Sequence, residues 1–452
     1  MKKLNLSNIQ GNILRGYRSF TRARFLYFSV RKAEAGRAFI GRLLDEELIT
    51  AAQWKEKPDC AVNVAVSAGG LLAMNVPAES VYTFPPAFCE GMKVRATGLG
   101  DTGESSPANW DRPWRSDHVH VVVMCYAETE RSVNEHARKV RGMLPDGIRE
   151  LSPAQKAHQI IKDRLALEHF GFADGIGNPV VEGMPSSNER RGGANLVAPG
   201  EFVLGYPGIG GEEPHAPQPR ALVHDGSFLV LRKLSQNVQM FRHYLHEQEA
   251  VLKRVDQRYG AGFLAAKMVG RWPNGTSLIK NPDASGDGIP DNQFDYRLDP
   301  QGSACPLGAH IRRSNPRAAL GLGGLLSQRR LVMRRGIAYG KFVDEHEVPD
   351  DEDRGIMFLA YMTNIERQFE FLQRQWINHG DDLDQGNDKD AIIGDNNGTG
   401  RMVVPGDERT GRAPVLLTRL PRFVGVRGGE YLFAPSLSAL GLLAENLVEL
   451  SF

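Results

Sequence analysis

The sequence predicts an α+β fold arranged in two halves, and three observations carry that reading. Short runs of β-branched and aromatic residues alternate with amphipathic helical stretches through the first third of the chain. Polar segments rich in Gly and Pro, at 186–200 and 208–219, then interrupt the pattern. An apolar strand-like run restarts at 228–231, with a helical stretch close behind it.

In order, residues 24–30 read as a strand and 32–44 as a helix. Residues 61–67 alternate like a strand that Gly69-Gly70 interrupts. Residues 97–109, rich in Gly, Ser, Asp and Thr, read as an exposed loop. Residues 118–126 are expected to be a buried strand, and 128–143 a charged amphipathic helix. In the second half, 238–259 reads as a helix and 281–292 as a solvated loop. The acids of that loop lack the spacing of a twelve-residue calcium site. Residues 356–362 read as a strand, 365–378 as a helix and 379–400 as a loop. The two domains are therefore expected at 1–215 and 216–452.

Composition narrows the function classes. The chain has 452 residues, enough for two large domains. With 41% hydrophobic and 24% charged residues it is ordinary globular material. A formal net charge of +1 gives no strong field for nucleic acid or an anionic membrane. No apolar run approaches the roughly 20 residues of a membrane-spanning helix. Four cysteines, Cys60, Cys89, Cys125 and Cys305, make neither a disulfide framework nor a paired metal motif. Cys60 and Cys125 sit in apolar runs and are expected in the core. Met1-Lys2-Lys3 is followed by polar residues and reads as no signal peptide, so a cytoplasmic location is expected.

Three stretches carry chemistry. The first is Glu168-His169-Phe170-Gly171-Phe172-Ala173-Asp174-Gly175, an acid between two glycines beside aromatic residues. Flexible backbone and apolar neighbours can hold a titrating group against a ligand. The plain alternative is a helix end followed by an Asp-Gly turn. The second is Cys305-Pro306-Leu307-Gly308-Ala309-His310-Ile311-Arg312-Arg313-Ser314-Asn315-Pro316-Arg317. The third is Arg329-Arg330-Leu331-Val332-Met333-Arg334-Arg335-Gly336-Ile337-Ala338-Tyr339-Gly340. Together, and in this order, they resemble the dye-decolourising peroxidase family. The first matches its Gly-x-x-Asp-Gly signature, the second the segment around its proximal haem histidine, the third the segment with its distal arginine. The resemblance runs from residues 8–14 to residues 367–371. Ala338 departs from it, standing where many relatives have proline, which bears on loop stiffness.

The resemblance implies two ferredoxin-like halves, each an antiparallel β-sheet with peripheral helices. One haem b per chain would be held mainly by the second half. His310 would be the proximal iron ligand, since neutral imidazole is a usual one, and it alone of 12 histidines lies in the motif. A carboxylate on its other ring nitrogen would strengthen it; Asp390 and Asp395 are the candidates, or else solvated loop acids. Bound peroxide must lose a proton and shed its outer oxygen as water. Asp174 suits the proton shuttle and Arg334 the charge stabiliser. Arg335 is expected to pair with a propionate or lie at the surface. Phe358 and Leu359 are expected to wall the distal pocket or to pack the core. Tyr339 and Trp376 are candidates to pass electrons from donors too bulky to enter.

The expected function is a haem peroxidase that reduces hydrogen peroxide and oxidises organic donors such as dyes and phenols. The rival is a haem carrier, sensor or iron-releasing protein on the same scaffold, which needs His310 but not both distal groups. A scaffold without cofactor is a third reading. Residues 205–211 contain a Gly-x-x-Gly-x-Gly spacing without a strand–helix frame for a dinucleotide.

Overall fold

Ten of the strands gather into one antiparallel sheet in the computed structural model. It describes residues 3–448 apart from 116–117, 185–195, 285, 287–289, 291, 345–346, 349 and 382–384. A short helix α1 (Gly11–Leu14) precedes β1 (Arg22–Val30), α2 (Ala33–Asp45), β2 (Cys60–Val66), β3 (Val121–Ala127) and α3 (Glu130–Gly142). Four short strands follow: β4 (Ile148–Glu150), β5 (Gln155–His158), β6 (Ile160–Lys162) and β7 (Leu165–Leu167). The second half supplies β8 (Ser227–Gln236), α4 (Val238–Leu252), α5 (Ala261–Val269), α6 (His310–Ser314), β9 (Met333–Arg334), β10 (Ile337–Tyr339) and β11 (Gly355–Met362). It ends with β12 (Gly400–Val404), β13 (Val415–Leu420), β14 (Val424–Ala434) and α7 (Leu437–Ala444).

Spatial order in the sheet is β9-β11-β8-β14-β2-β3-β1-β4, with β10 on β11 and β5 on β1. β2 and β3 are buried along their whole length, which explains why they read as unbroken apolar runs. The strands of the two halves meet at a single register pair, Phe433 with Val66. Side-chain caps start three of the helices: Thr129 for α3, Asn237 for α4 and Ser436 for α7. Cys60 and Cys125 are core residues as expected. No helix among the described residues is long and apolar enough to cross a membrane.

Three expectations change. Residues 97–109 are exposed over much of their length, as expected, but wind into three short 3₁₀ turns and bury Leu99, Asp101 and Ser105. Asp101 is matched inside by Arg232, which makes a polar segment tolerable there. The helix starting at Val238 stops at Leu252 instead of reaching 259. The 365–378 helix is wound in π-type turns over Glu366–Glu370 and Leu372–Ile377. Most of the polar stretch 186–200, and parts of the 281–292 loop, lie outside the described residues.

A second hydrophobic core sits off the main sheet. It gathers Phe172, Phe241, Leu264, Tyr296, Ala309, Ile392 and Phe423. The aspartate motif and the His310 segment therefore share one packed support.

Candidate active site

The hairpin of β6 and β7 delivers the chain to Glu168, where it folds back on itself. Gly171 N donates to Glu168 O (3.0 Å) and Glu168 N to Phe172 O (3.0 Å). Gly171 takes φ +95° to close this turn, a conformation that favours glycine. Ala173 N bonds Pro273 O and Asp174 N bonds Ala166 O, both at 2.8 Å, which fixes where the aspartate emerges. Phe172 is buried, and Phe170 packs on Phe241 with centroids 4.4 Å apart. The turn and the placed carboxylate thus coexist.

Asp174 faces Arg334, with Oδ1 3.8 Å from Nη1 and both side chains about two-fifths exposed (40% and 38%). Arg334 lies on β9 opposite Ala360 of β11, and its backbone N donates to Asn178 Oδ1 at 3.1 Å. Asp174 Oδ1 also accepts Gly175 N at 2.6 Å. Both side chains line a cavity of about 2340 Å³, together with Asn12, Arg18, Glu168, Ile356 and Arg317. That exceeds the range of roughly 300–1,000 Å³ usual for small-molecule pockets and leaves room for a large planar cofactor.

His310 opens α6 and is less exposed. Its Nδ1 lies 2.9 Å from Asp390 Oδ2. Asp390 is fully buried, and its Oδ1 accepts the Ile392 and Ile393 amides, each at 2.8 Å. Burial pushes this carboxyl up. The facing imidazole, the Ile393 amide and the Arg313 guanidinium more than offset that, so it titrates below the usual carboxylate range. Asp395 instead pairs with Lys389 at 2.6 Å, so Asp390 is the acid that meets His310. With Nδ1 committed to a carboxylate, Nε2 is the nitrogen available to a metal. An imidazole so oriented, beside a cavity of this size, fits a haem iron. His310 itself is not among the cavity-lining residues, but Asn315 and Arg317, just beyond α6, are.

The other sequence candidates scatter. Arg335 is half-buried and lines the cavity, with its guanidinium turned to the backbone of α1. Its guanidinium donates to the carbonyls of Asn12 (2.9 Å), Ile13 (3.3 Å) and Leu14 (2.9 Å), tying α1 to the strand of Arg334. Burial lowers its pKa to about 10, still charged at neutral pH. Phe358 is half-buried and meets Phe369 at 6.3 Å; Ile356, two residues earlier on β11, lines the cavity, whereas Phe358 and the buried Leu359 do not. Tyr339 and Trp376 are both 2% exposed and away from the cavity lining. The Tyr339 hydroxyl donates to Asp353 Oδ1 at 3.0 Å.

Sequence reasoning missed Glu168. It lines the cavity and accepts the amides of Phe170 and Phe172, each at 2.9 Å, and the Gln236 side-chain amide. Burial pushes its carboxyl up to about 7, against the pull of those three donors and with a further push from Asp174. An acid inside a motif with aromatic residues was the available signal. Neighbouring His169 is buried, and burial lowers it to about 4. It is therefore neutral and donates through Nε2 to Tyr339 O at 2.8 Å.

Comparison with known proteins places this geometry. Residues 8–158 match the DyP dimeric alpha+beta barrel domain, and residues 212–392 the Dyp-type peroxidase C-terminal domain. Dye-decolorizing peroxidase msp1 of Mycetinis scorodonius is 32% identical over 458 residues, covering 97% of this chain and 87% of that protein. The chain belongs to the dye-decolourising peroxidase family. As a dye-decolourising peroxidase it is an oxidoreductase that acts on hydrogen peroxide, and the family is one of haem enzymes. Dye-decolorizing peroxidase AauDyP1 of Auricularia auricula-judae is 28% identical over 97% of this chain and 86% of its own length. A solved dye-decolorizing peroxidase in complex with 2,6-dimethoxyphenol superposes with a TM-score of 0.81 at 28% identity. That match covers 98% of this chain and 100% of the other. A deferrochelatase of Yersinia pseudotuberculosis is 24% identical over 57% of this chain and 49% of its own length.

Proposed function

We propose that the chain binds one haem b through His310 and uses it to reduce hydrogen peroxide while oxidising organic donors such as dyes and phenols. Haem, when bound, supplies the iron centre that takes two oxidising equivalents from peroxide and returns them singly to donors. The chain's residues do the rest. Asp390 fixes the His310 tautomer so that Nδ1–H points to the carboxylate, and Nε2 would be the nitrogen to hold the haem iron. Asp174 takes the first proton of peroxide at Oδ2, because Oδ1 is occupied by the Gly175 amide and faces Arg334. Arg334 stabilises the negative charge that develops on the departing oxygen, using a guanidinium that stays charged.

The observation that carries this reading is the Asp174–Arg334 pair on the cavity wall. A haem carrier or iron-releasing protein, the class to which the name deferrochelatase points, needs the imidazole but gains nothing from an acid and a fixed cation beside it. The domains proposed are 1–215, carrying Asp174, and 216–452, carrying His310 and Arg334. The proposed compartment is the cytoplasm: Cys60, Cys89, Cys125 and Cys305 are all free thiols, the state that a reducing compartment maintains. The test is steady-state oxidation of 2,6-dimethoxyphenol with hydrogen peroxide on haem-reconstituted protein. Turnover that falls in both Asp174→Asn and Arg334→Leu is expected. A protein that loads haem but oxidises no donor would belong to the carrier class.

A further inference from the structure

Glu168 stands in the Asp174 loop and takes no part in the reaction described above. The backbone bridge between Leu167 and Ala173 folds the two arms of this loop together, and both carboxyls open into the same cavity. Three donors converge on Glu168: the amides of Phe170 and Phe172 and the side chain of Gln236, which comes from the end of β8. Gln236 Oε1, the other arm of that amide, is buried without a hydrogen-bond partner among the described residues. Half a turn of the amide would bring this oxygen onto Glu168, where it would accept the O–H of a protonated carboxyl. The same amide can therefore serve Glu168 in either charge state, donating from Nε2 to the carboxylate or accepting the carboxyl O–H at Oε1.

The charged and titratable groups around Glu168 are few. Asp174 is on its own loop. His169 is next in the chain and neutral. Arg354, whose carbonyl accepts the Gln236 backbone amide, turns its guanidinium to Asp350 and to the Lys341 carbonyl. Arg334 is engaged with Asp174. No cation of this set pairs with Glu168, so a second negative charge in the loop would draw on Arg334 and oppose the charge that develops as peroxide cleaves.

We propose that the distal site works with Glu168 protonated and Asp174 as the charged carboxylate, and that loss of the Glu168 proton sets the alkaline limit of the peroxide reaction. The proposal rests on the reading of Asp174 and Arg334 given above. Glu168 acts through those two side chains and is a positioning residue. Its carboxyl, lifted to about 7 by burial, changes charge where that limit would be seen.

The experiment uses haem-loaded parent, Glu168→Gln and Asp174→Asn protein. Infrared difference spectra between acid and alkaline buffer should show a protonated-carboxyl band in the parent, lost with a midpoint near pH 7. The band should be absent in Glu168→Gln. In Asp174→Asn it should titrate at lower pH, because a neighbouring negative charge has gone. In stopped flow, the parent's peroxide rate should fall above the same midpoint, and that of Glu168→Gln should not. A band that survives Glu168→Gln, or an alkaline fall shared by both proteins, overturns the proposal. If Glu168→Gln fails to fold, parent and Asp174→Asn protein labelled with ¹³C-glutamate decide it. A band that ignores the label, or a midpoint that does not move, overturns the assignment. Failure of the Asp174 reading would look different: Asp174→Asn would keep the parent peroxide rate, whatever the infrared band did.

Discussion

The two sides of the candidate haem site are built to opposite specifications. On the His310 side one carboxylate is fully buried and held by an imidazole and two amides, all within 3 Å. Its backbone N bonds Ile377 O at 2.8 Å, and its carbonyl accepts Asn396 Nδ2 at 2.8 Å. On the Asp174 side the acid and the arginine are partly exposed and 3.8 Å apart, an ion pair without a close hydrogen bond. The titration directions differ in the same sense. Asp390 is held below the carboxylate range and Glu168 is lifted above it. A group that must stay put through every turnover is enclosed and satisfied. In the proposed mechanism, the groups that meet a small substrate and exchange protons are left room and unspent bonding capacity.

That contrast can be broken most sharply at the proposed metal ligand. His310→Ala should purify without tightly bound haem. A fully loaded variant with an unchanged spectrum would mean that another residue binds the iron. On the other side, Arg334→Leu should retain haem but react with peroxide about 100- to 1,000-fold more slowly, the usual cost of removing a preorganised charge-stabilising donor. Stopped-flow mixing reads it, and an unchanged rate would take Arg334 out of the mechanism. Asp390→Asn should lose about 10- to 100-fold in haem affinity or activity, the usual penalty for disturbing the partner of a ligating histidine. Haem titration of apoprotein measures it. If the loss matched that of His310→Ala, Asp390 would be as indispensable as the ligand.

Smaller effects concern protons. The parent's peroxide rate should persist below about pH 6.5, where a histidine base would be protonated and a carboxylate base would not. A collapse there would exclude Asp174 as the base. The smallest effect is on stability. Glu168 titrates near 7 in the folded protein against 4.5 as its ordinary value. The unfolded chain therefore releases this proton first as pH rises. The parent should lose melting temperature relative to Glu168→Gln between those two values and hold a constant deficit above them. Parallel melting curves across that window would show that Glu168 titrates no differently in the fold.

The candidate site was legible wherever one short motif held the whole signal. Asp174, His310 and Arg334 each sit in a contiguous run whose spacing is visible by eye. What the sequence withheld was pairing over distance. Asp390 and Asp395 lie in one acidic loop, and only the path of the chain over 80 residues decides which reaches His310. Glu168 was in plain view, but Gln236 is 68 positions away. Within 97–109 the burial of Asp101 was hidden because nothing local revealed Arg232, 131 positions away. The strands were legible because full burial leaves an apolar run. The π winding of 366–377 was not, since a helical pattern of apolar residues says little about which carbonyl each amide selects.

The clasp between Arg335 and α1 has a consequence for how the molecule is made. The carbonyl of Asn12 leaves the ribosome 323 positions before the guanidinium that binds it. Chains are synthesised at about 5–20 residues per second, and early segments fold first where they can. The opening segment must therefore wait with three acceptors in water until most of the second half exists. A fragment ending before residue 335 can pair β1 with β3, but it cannot close the wall beside Arg334. Nascent chains stalled at increasing lengths should thus acquire protease resistance in β1–β3 well before they gain it around residues 11–14.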